Sequence, residues 1–393
     1  MNSDPVVILA ARRTPVGAFQ GAFAAVTAPQ LGSVAIKAAL ADSGLSASQI
    51  DEVIMGCVLS AGIGQAPARQ AALGAGLPAS VPSTTVNKMC GSAMRAVMLG
   101  CDQILAGGAQ AIVAGGIESM TNAPYLLPKA RAGYRMGHQE VLDHMFYDGL
   151  QSPWDGQLMG CFAEATSEKY NFSRKAQDEF AAESVRRALA AIGSGAFAAE
   201  IAAVTAKSRK GEVVVDKDET PFTLDIAKIP TLKPAFKKDG TVTAASSSGI
   251  SDGAAALVLA RESFAASQGC KPLARVLGYT SFAREPEWFT LAPVGAIAKL
   301  LARLNWQAKD VDLYEINEAF AAVPMAAIQD LGLDPQRVNV NGGAVALGHP
   351  IGATGARIMT TLLHALRARG KKRGIASLCI GGGEATAIAI ELA

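Results

Sequence analysis

Val86-Asn87-Lys88-Met89-Cys90-Gly91-Ser92-Ala93 carries a short extended run into a glycine turn and on into an apolar helix. The helix predicted to open at Cys90 presents Ala93, Met94, Val97, Met98, Cys101, Ile104 and Leu105, with only Arg95, Asp102 and Gln103 strongly polar. A helix apolar on nearly every side is buried on nearly every side, so it belongs in a central layer. Working outward, an apolar run at 53–58 precedes this unit and reads as a buried strand. A second strand follows it and ends in Gly115-Gly116-Ile117-Glu118. The same order returns in the second half. A strand at 312–316 leads to Val340-Asn341 and a glycine turn. A helix over 354–368 and a strand ending in Gly381-Gly382-Gly383-Glu384 follow. Two copies of one unit predict glycine turns that face each other across a pseudo-twofold axis. That would gather Cys90, His349 and Cys379 at one place.

The flanking sequence fits an α/β fold. Val6-Val7-Ile8-Leu9-Ala10 reads as another buried strand, and 30–43 as a helix stopped by Gly44. Strands alternating with helices predict a sheet covered on both faces. The stretch 121–249 differs, being richer in Pro, Tyr, Trp and charge, including Lys207-Ser208-Arg209-Lys210-Gly211. Within it an amphipathic helix is predicted, with Ser173 as N-cap and Ala176, Phe180, Val185, Leu189 and Ile192 on its apolar side. The predicted units are 1–120 with 250–270, an inserted 121–249 suited to substrate binding, and 271–393.

Bulk properties exclude several classes. The chain has 393 residues, of which 50% are hydrophobic and 18% charged, so it is long and apolar enough for more than one sizeable core. A formal net charge of +2 argues against a dedicated nucleic-acid binder. The six cysteines are widely spaced, which fits a reducing compartment. No signal peptide and no membrane-length apolar run is visible, so a cytoplasmic protein without a membrane partner is expected.

Three segments could divide a reaction between them. Cys90 at a helix start is placed for nucleophilic attack, with backbone N–H groups near a developing oxyanion. His349, held in Gly348-His349-Pro350, can activate a thiol. Cys379 precedes three glycines whose N–H groups could bind a carbonyl oxygen while the sulfur takes a proton. Asn317, in Asn317-Glu318-Ala319-Phe320, either positions a water or caps the next helix. Cys57, Cys101, Cys161 and Cys270 read as structural, and His138, His144 and His364 lack comparable context. No local ligand pair nucleates a metal site, and no G-x-G-x-x-G follows the first strand to bind a dinucleotide.

Taken together these segments resemble the thiolase family over essentially the full length. The resemblance rests on Asn87 to Ala93, Gly115 to Met120, Ser248-Gly249-Ile250-Ser251-Asp252-Gly253-Ala254-Ala255, Asn317 to Phe320, Asn341 to Gly352, and Cys379-Ile380-Gly381-Gly382-Gly383. It implies a five-layer αβαβα fold of two similar halves, with an inserted loop domain that binds coenzyme A. It also implies a homo-oligomer, a dimer or more often a tetramer. By resemblance, Cys90 is acylated, His349 activates it and Cys379 moves the α-proton of acetyl-CoA. The N–H groups of Cys90 and Gly381 form one oxyanion hole; His349 and a water on Asn317 form the other. Ser248 matches a pantetheine contact, and Leu158, Met159, Phe289, Ala319 and Phe320 fall among the substrate contacts. Leu158 stands where well-known biosynthetic members carry a histidine, and Glu287-Trp288-Phe289-Thr290 is bulkier than in short-chain members, which tend to carry a methionine near Phe289. The implied reaction joins two acetyl-CoA into acetoacetyl-CoA and CoA, or runs in reverse, with these thioesters as substrates and products and no bound cofactor. A 3-ketoacyl-CoA thiolase of broader chain length is the near alternative. A decarboxylating ketoacyl synthase and a silent acyl or lipid carrier are remoter ones.

Overall fold

The computed structural model describes residues 4–208 and 211–393. Arg209 and Lys210 of the basic stretch therefore lie outside the described residues. The first half contains β1 (Val6–Arg13), α1 (Ala28–Ser43), β2 (Glu52–Gly56), α2 (Pro67–Gly74), β3 (Ser83–Val86), α3 (Ser92–Leu105) and β4 (Ala111–Ser119). After the 121–249 excursion, which carries α4 (Met159–Lys169) and α5 (Arg174–Ser194), the chain returns as β5 (Ser251–Arg261). The second half contains β6 (Ala274–Ala283), α6 (Ala292–Leu304), β7 (Leu313–Ile316), α7 (Ala322–Leu331), α8 (Thr354–Ala368), β8 (Arg373–Ile380) and β9 (Glu384–Leu392).

Hydrogen bonding orders the main strands β7-β8-β9-β6-β1-β5-β4-β2-β3. The halves meet where β1 and β6 pair antiparallel, at Val7 with Arg275 and Ile8 with Ala274. The two flanks of this seam match. β1 lies beside β5 and β6 beside β9, each pair antiparallel; β2–β4 and β7–β8 are parallel. Even the irregularities repeat, with one register shift between Ile8 and Ala10 and another between Val276 and Gly278. A bulge adds a residue to one strand and resets its alternation. Accordingly Leu9 and Ala10 both face the outer core, while Val6, Ile8 and Ala11 face the central one.

The side chains sort into the predicted five layers. α1 and α2 pack their apolar faces on the outside of the first half-sheet, around Leu31, Ile36 and Val113. α3 and α8 lie between the half-sheets, covered by Ile112 and Leu257 on one side and Leu378, Ile388 and Ile390 on the other. α6 and α7 close the second half-sheet with Ile297, Leu300 and Val323. Each fully buried aliphatic side chain contributes about 1.5–3 kcal/mol relative to exposure, so the central layer and the two outer ones all hold the fold together.

The local signals hold with three adjustments. α1 opens on a Thr27–Gln30 capping box and stops at Gly44 in the left-handed region. α3 starts at Ser92, two residues after Cys90, and Leu105 emerges to solvent in its last turn. α5 is capped by Ser173, whose hydroxyl accepts from the Ala176 N–H, but its buried stripe is Ala181, Val185, Ala188 and Ala191. The larger Phe180, Leu189 and Ile192 sit at the margins, because the closest helix contact uses the smallest side chains.

Candidate active site

Cys90 sits in a turn built by its neighbours. Asn87 Oδ1 accepts from the Met89 N–H at 2.9 Å. Ser92 Oγ accepts from the Lys88 N–H at 2.8 Å and donates to the Met89 carbonyl at 2.7 Å. These bonds hold Met89 at φ 47°, the left-handed region a residue with a Cβ seldom occupies. Gly91 follows because a Cβ there would fall on Ile380 of the opposite half. The strain and the close approach aim Cys90 at the seam.

The opposite half answers with the turn after β8. The backbone N–H groups of Gly381 and of Cys90 itself act on the Cys90 sulfur. Each favours the thiolate, but burial outweighs them and pushes the thiol up to about 11. A place beside a helix start therefore leaves this thiol protonated at neutral pH. Lys88 and Glu384 form an ion pair that ties the two turns together.

His349 is buried between Gly348, at φ 106°, and Pro350. Its N–H donates to the Gly249 carbonyl at 3.1 Å and the Ser251 hydroxyl at 3.2 Å. On the ring, Nδ1 lies 2.7 Å from Thr354 Oγ1 and 3.5 Å from Asn317 Nδ2. Nε2 is buried with no protein partner. Burial first, and then the Arg357 guanidinium, lower its pKa to about 3, so the imidazole rests neutral. Glu118 fixes the same region from below. Its carboxylate accepts from Val58 N at 3.2 Å, Leu59 N at 3.1 Å and Gly352 N at 2.8 Å, stapling the first half to the histidine turn.

Cys379 is fully buried at the end of β8, in the cluster that includes Phe289 and Phe320. Burial, then the proximity of Cys90, raise its thiol well above the ordinary value. Asn317 is buried as well, with Oδ1 unpartnered. It caps no helix, because α7 begins only at Ala322. A cavity of about 370 Å³ opens over the group; Cys90, His349, Gly381, Ser248, Leu158, Met159, Phe289, Ala319 and Phe320 all line it. Cys379 and Asn317 do not line it and lie deeper. The Ser248 hydroxyl donates to the Ala319 carbonyl at 3.0 Å.

Met120, the last residue of the Gly115 to Met120 segment, also lines this cavity, and so do Phe146, Leu150 and Phe236, which were not singled out in the sequence because isolated apolar residues carry no chemical signature. Of the remaining histidines, His364 bonds the Ala11 carbonyl and His144 pairs with Asp148, both outside this site. Among the described residues no group of three or more His, Cys, Asp or Glu could hold a metal ion. Among them no helix is long and apolar enough to cross a membrane.

An apolar slot lined at its end by the Cys90 thiol, a neutral imidazole and the Gly381 turn, with the Cys379 thiol buried behind it, can accept a thioester and pass its acyl group to sulfur. Comparison with known proteins agrees. Residues 6–263 match the thiolase N-terminal domain and residues 270–392 the thiolase C-terminal domain. An acetyl-CoA acetyltransferase of Escherichia coli is 51% identical over 387 residues, covering 98% of each chain. One from Cupriavidus necator is 50% identical over 390 residues, covering 98% of this chain and 99% of that one. The crystal structure of the Bacillus anthracis acetyl-CoA acetyltransferase superposes with TM-score 0.97 at 44% identity over 99% of both chains. A thiolase from Ascaris suum in complex with coenzyme A superposes with TM-score 0.94 at 44% identity, over 99% of this chain and 100% of that one. With two domain matches that span nearly all of its length and relatives at half identity, the chain belongs to the thiolase family.

Proposed function

We propose that this protein is an acetyl-CoA C-acetyltransferase, condensing two acetyl-CoA to acetoacetyl-CoA and CoA and catalysing the reverse thiolysis. One observation carries the reading. Cys90 and Gly381, one from each half, line the same cavity as a histidine whose Nε2 is bare, and the N–H groups of both favour the Cys90 thiolate. A thioester carbonyl oxygen placed between those N–H groups puts its carbon against the sulfur. Cys90 attacks and passes its proton to His349 Nε2. The C–S bond to CoA breaks, and Cys379 protonates the leaving sulfur. The Cys379 thiolate then removes a proton from the methyl group of a second acetyl-CoA. Its enolate oxygen is held by the His349 imidazolium and a water on Asn317. The enolate carbon attacks the acyl carbon, and the Cys90 sulfur leaves and recovers its proton from His349.

The same reading assigns Ser248, Leu158, Met159, Phe289, Ala319 and Phe320 to the pantetheine and acyl groups, and coenzyme A binding to the 121–249 unit between 1–120 with 250–270 and 271–393. CoA thioesters are the only small molecules required, with no bound cofactor or metal. Exposed Tyr125, Leu127, Met136, Val141 and Tyr147 support a homo-oligomer, with a tetramer favoured. A cytoplasmic location fits the free cysteines.

The test separates the two sulfurs. Cys379→Ala should still accept acetyl from acetyl-CoA onto Cys90, seen by peptide mass analysis. It should lose solvent deuterium exchange into the acetyl methyl group and lose condensation by ~10²-fold or more. Exchange and condensation at wild-type rates would remove Cys379 from the mechanism.

A further inference from the structure

The reaction above needs His349 to present a bare Nε2, yet a neutral imidazole has two tautomers. One contact decides between them. Thr354 Oγ1 lies 2.7 Å from His349 Nδ1 and 2.9 Å from the Pro350 carbonyl oxygen. A hydroxyl has one proton to give, and a carbonyl oxygen can only accept. The Thr354 proton therefore goes to Pro350, and its lone pair accepts from His349 Nδ1–H. We infer that Thr354 is a positioning residue, which keeps the His349 proton on Nδ1 and so leaves Nε2 as the base for Cys90.

The rival contact points the other way and is weaker. If Asn317 Nδ2 donated to a bare Nδ1, Nε2 would carry the proton. That approach is 3.5 Å, at the limit of a hydrogen bond, against 2.7 Å for the hydroxyl. A flip of the Asn317 amide would place Oδ1 there instead, which also favours a proton on Nδ1. Thr354 stands at the first residue of α8, and α8 is buried over its first thirteen positions, so the hydroxyl cannot drift away from the ring. The contact also survives the catalytic cycle. When Nε2 gains the Cys90 proton, Nδ1 still donates to the same oxygen, so protonation needs no rearrangement.

Thr354→Val is the sharp test, because it keeps the shape and removes the hydroxyl. The Pro350 carbonyl keeps its bonds from Ala353 N and Thr354 N, so no acceptor is orphaned. The full-length protein, labelled with ¹⁵N-histidine, gives ring nitrogen signals from only four histidines. His349→Ala identifies the relevant pair by its disappearance. The wild type should show a protonated Nδ1 and a bare Nε2 for His349. Thr354→Ser should keep that pattern and the wild-type kcat. Thr354→Val should lose the pattern and lower kcat by ~10²-fold with KM for acetyl-CoA little changed. Thr354→Ala should behave as the Val variant does, which guards against a packing fault in either one, and an unchanged melting temperature shows that both fold.

A wild-type proton on Nε2 would overturn the inference. So would Thr354→Val and Thr354→Ala retaining the wild-type ring pattern and kcat. The inference rests on the acyl-transfer reading, but its ring signals do not require turnover. A protein that failed to condense acetyl-CoA while showing Nδ1–H held by Thr354 would sink that reading and leave this contact standing.

Discussion

At the scale of single residues, the resting site is uncharged. The Cys90 thiol is pushed up to about 11 and the His349 imidazole down to about 3, both chiefly by burial. Between those values neither group carries charge, so thiolate forms only as the thioester arrives and its oxygen meets the two N–H groups. The alkylation rate of free Cys90 should therefore climb about tenfold per pH unit from neutrality towards pH 11, because only the thiolate reacts. A plateau near pH 6 to 7 in iodoacetamide kinetics would instead reveal a preformed ion pair. His349→Ala should leave the rising alkylation profile in place, because a neutral imidazole adds no charge to hold the thiolate, yet lower acetyl-CoA condensation by ~10²-fold with the fold intact. Cys90, His349 and Cys379 were legible because each stands in a glycine-rich segment with a distinctive order. Thr354 and Glu118 were not. A threonine that opens a helix and a glutamate that ends a strand are ordinary in sequence; the role of Glu118 arises only when the halves meet, and that of Thr354 only when the turn at Pro350 brings its hydroxyl to the His349 ring.

Elements follow from periodicity until they touch. The all-apolar character of α3 placed it in the middle layer, and the limits of α8 could be read to the residue. What periodicity cannot supply is which side of a helix meets its neighbour most closely. On α5 that side is lined by alanines, not by the larger residues at helical spacing. In the central layer it is glycine. A Cβ on Gly355 of α8 would fall on the backbone nitrogen of Met94 in α3, and one on Gly116 of β4 would fall on the Gly352 carbonyl. Gly355→Ala must force these helices apart, so a loss of about 1–3 kcal/mol is expected in denaturant unfolding. Activity should fall further than stability, since α8 carries Thr354 and α3 follows Cys90. An alanine variant of Gly193, which has open space around it, is the matched control and should be near neutral in stability.

For the whole molecule, buried titrating groups set how stability varies with pH. Burial pushes the Glu118 carboxyl from 4.5 up to about 7, and the Glu315 carboxyl up to about 8. Between the unfolded and folded values the folded chain binds more protons, so rising pH removes stability there. His349 has the opposite sign. Its pKa falls from 6.5 to about 3, so the unfolded chain binds more protons across that range and acidification removes stability. Glu118→Gln should therefore lose less melting temperature than the wild type between pH 5 and about 7. For one group shifted this far the difference in slope integrates to ~3 kcal/mol. An identical pH dependence in the two proteins would show that Glu118 ionises freely. The order of the strands also bears on how the chain is made. β1 is translated first, yet its neighbours are β5 and β6, and the bond from Ala254 to Thr14 spans 240 residues. At ribosomal speeds of 5–20 residues per second, that interval lasts roughly 12–50 s. Through all of it Val-Val-Ile-Leu-Ala-Ala has no strand to pair with. A nascent chain halted before Ser251 is thus a client for chaperones rather than a folded half.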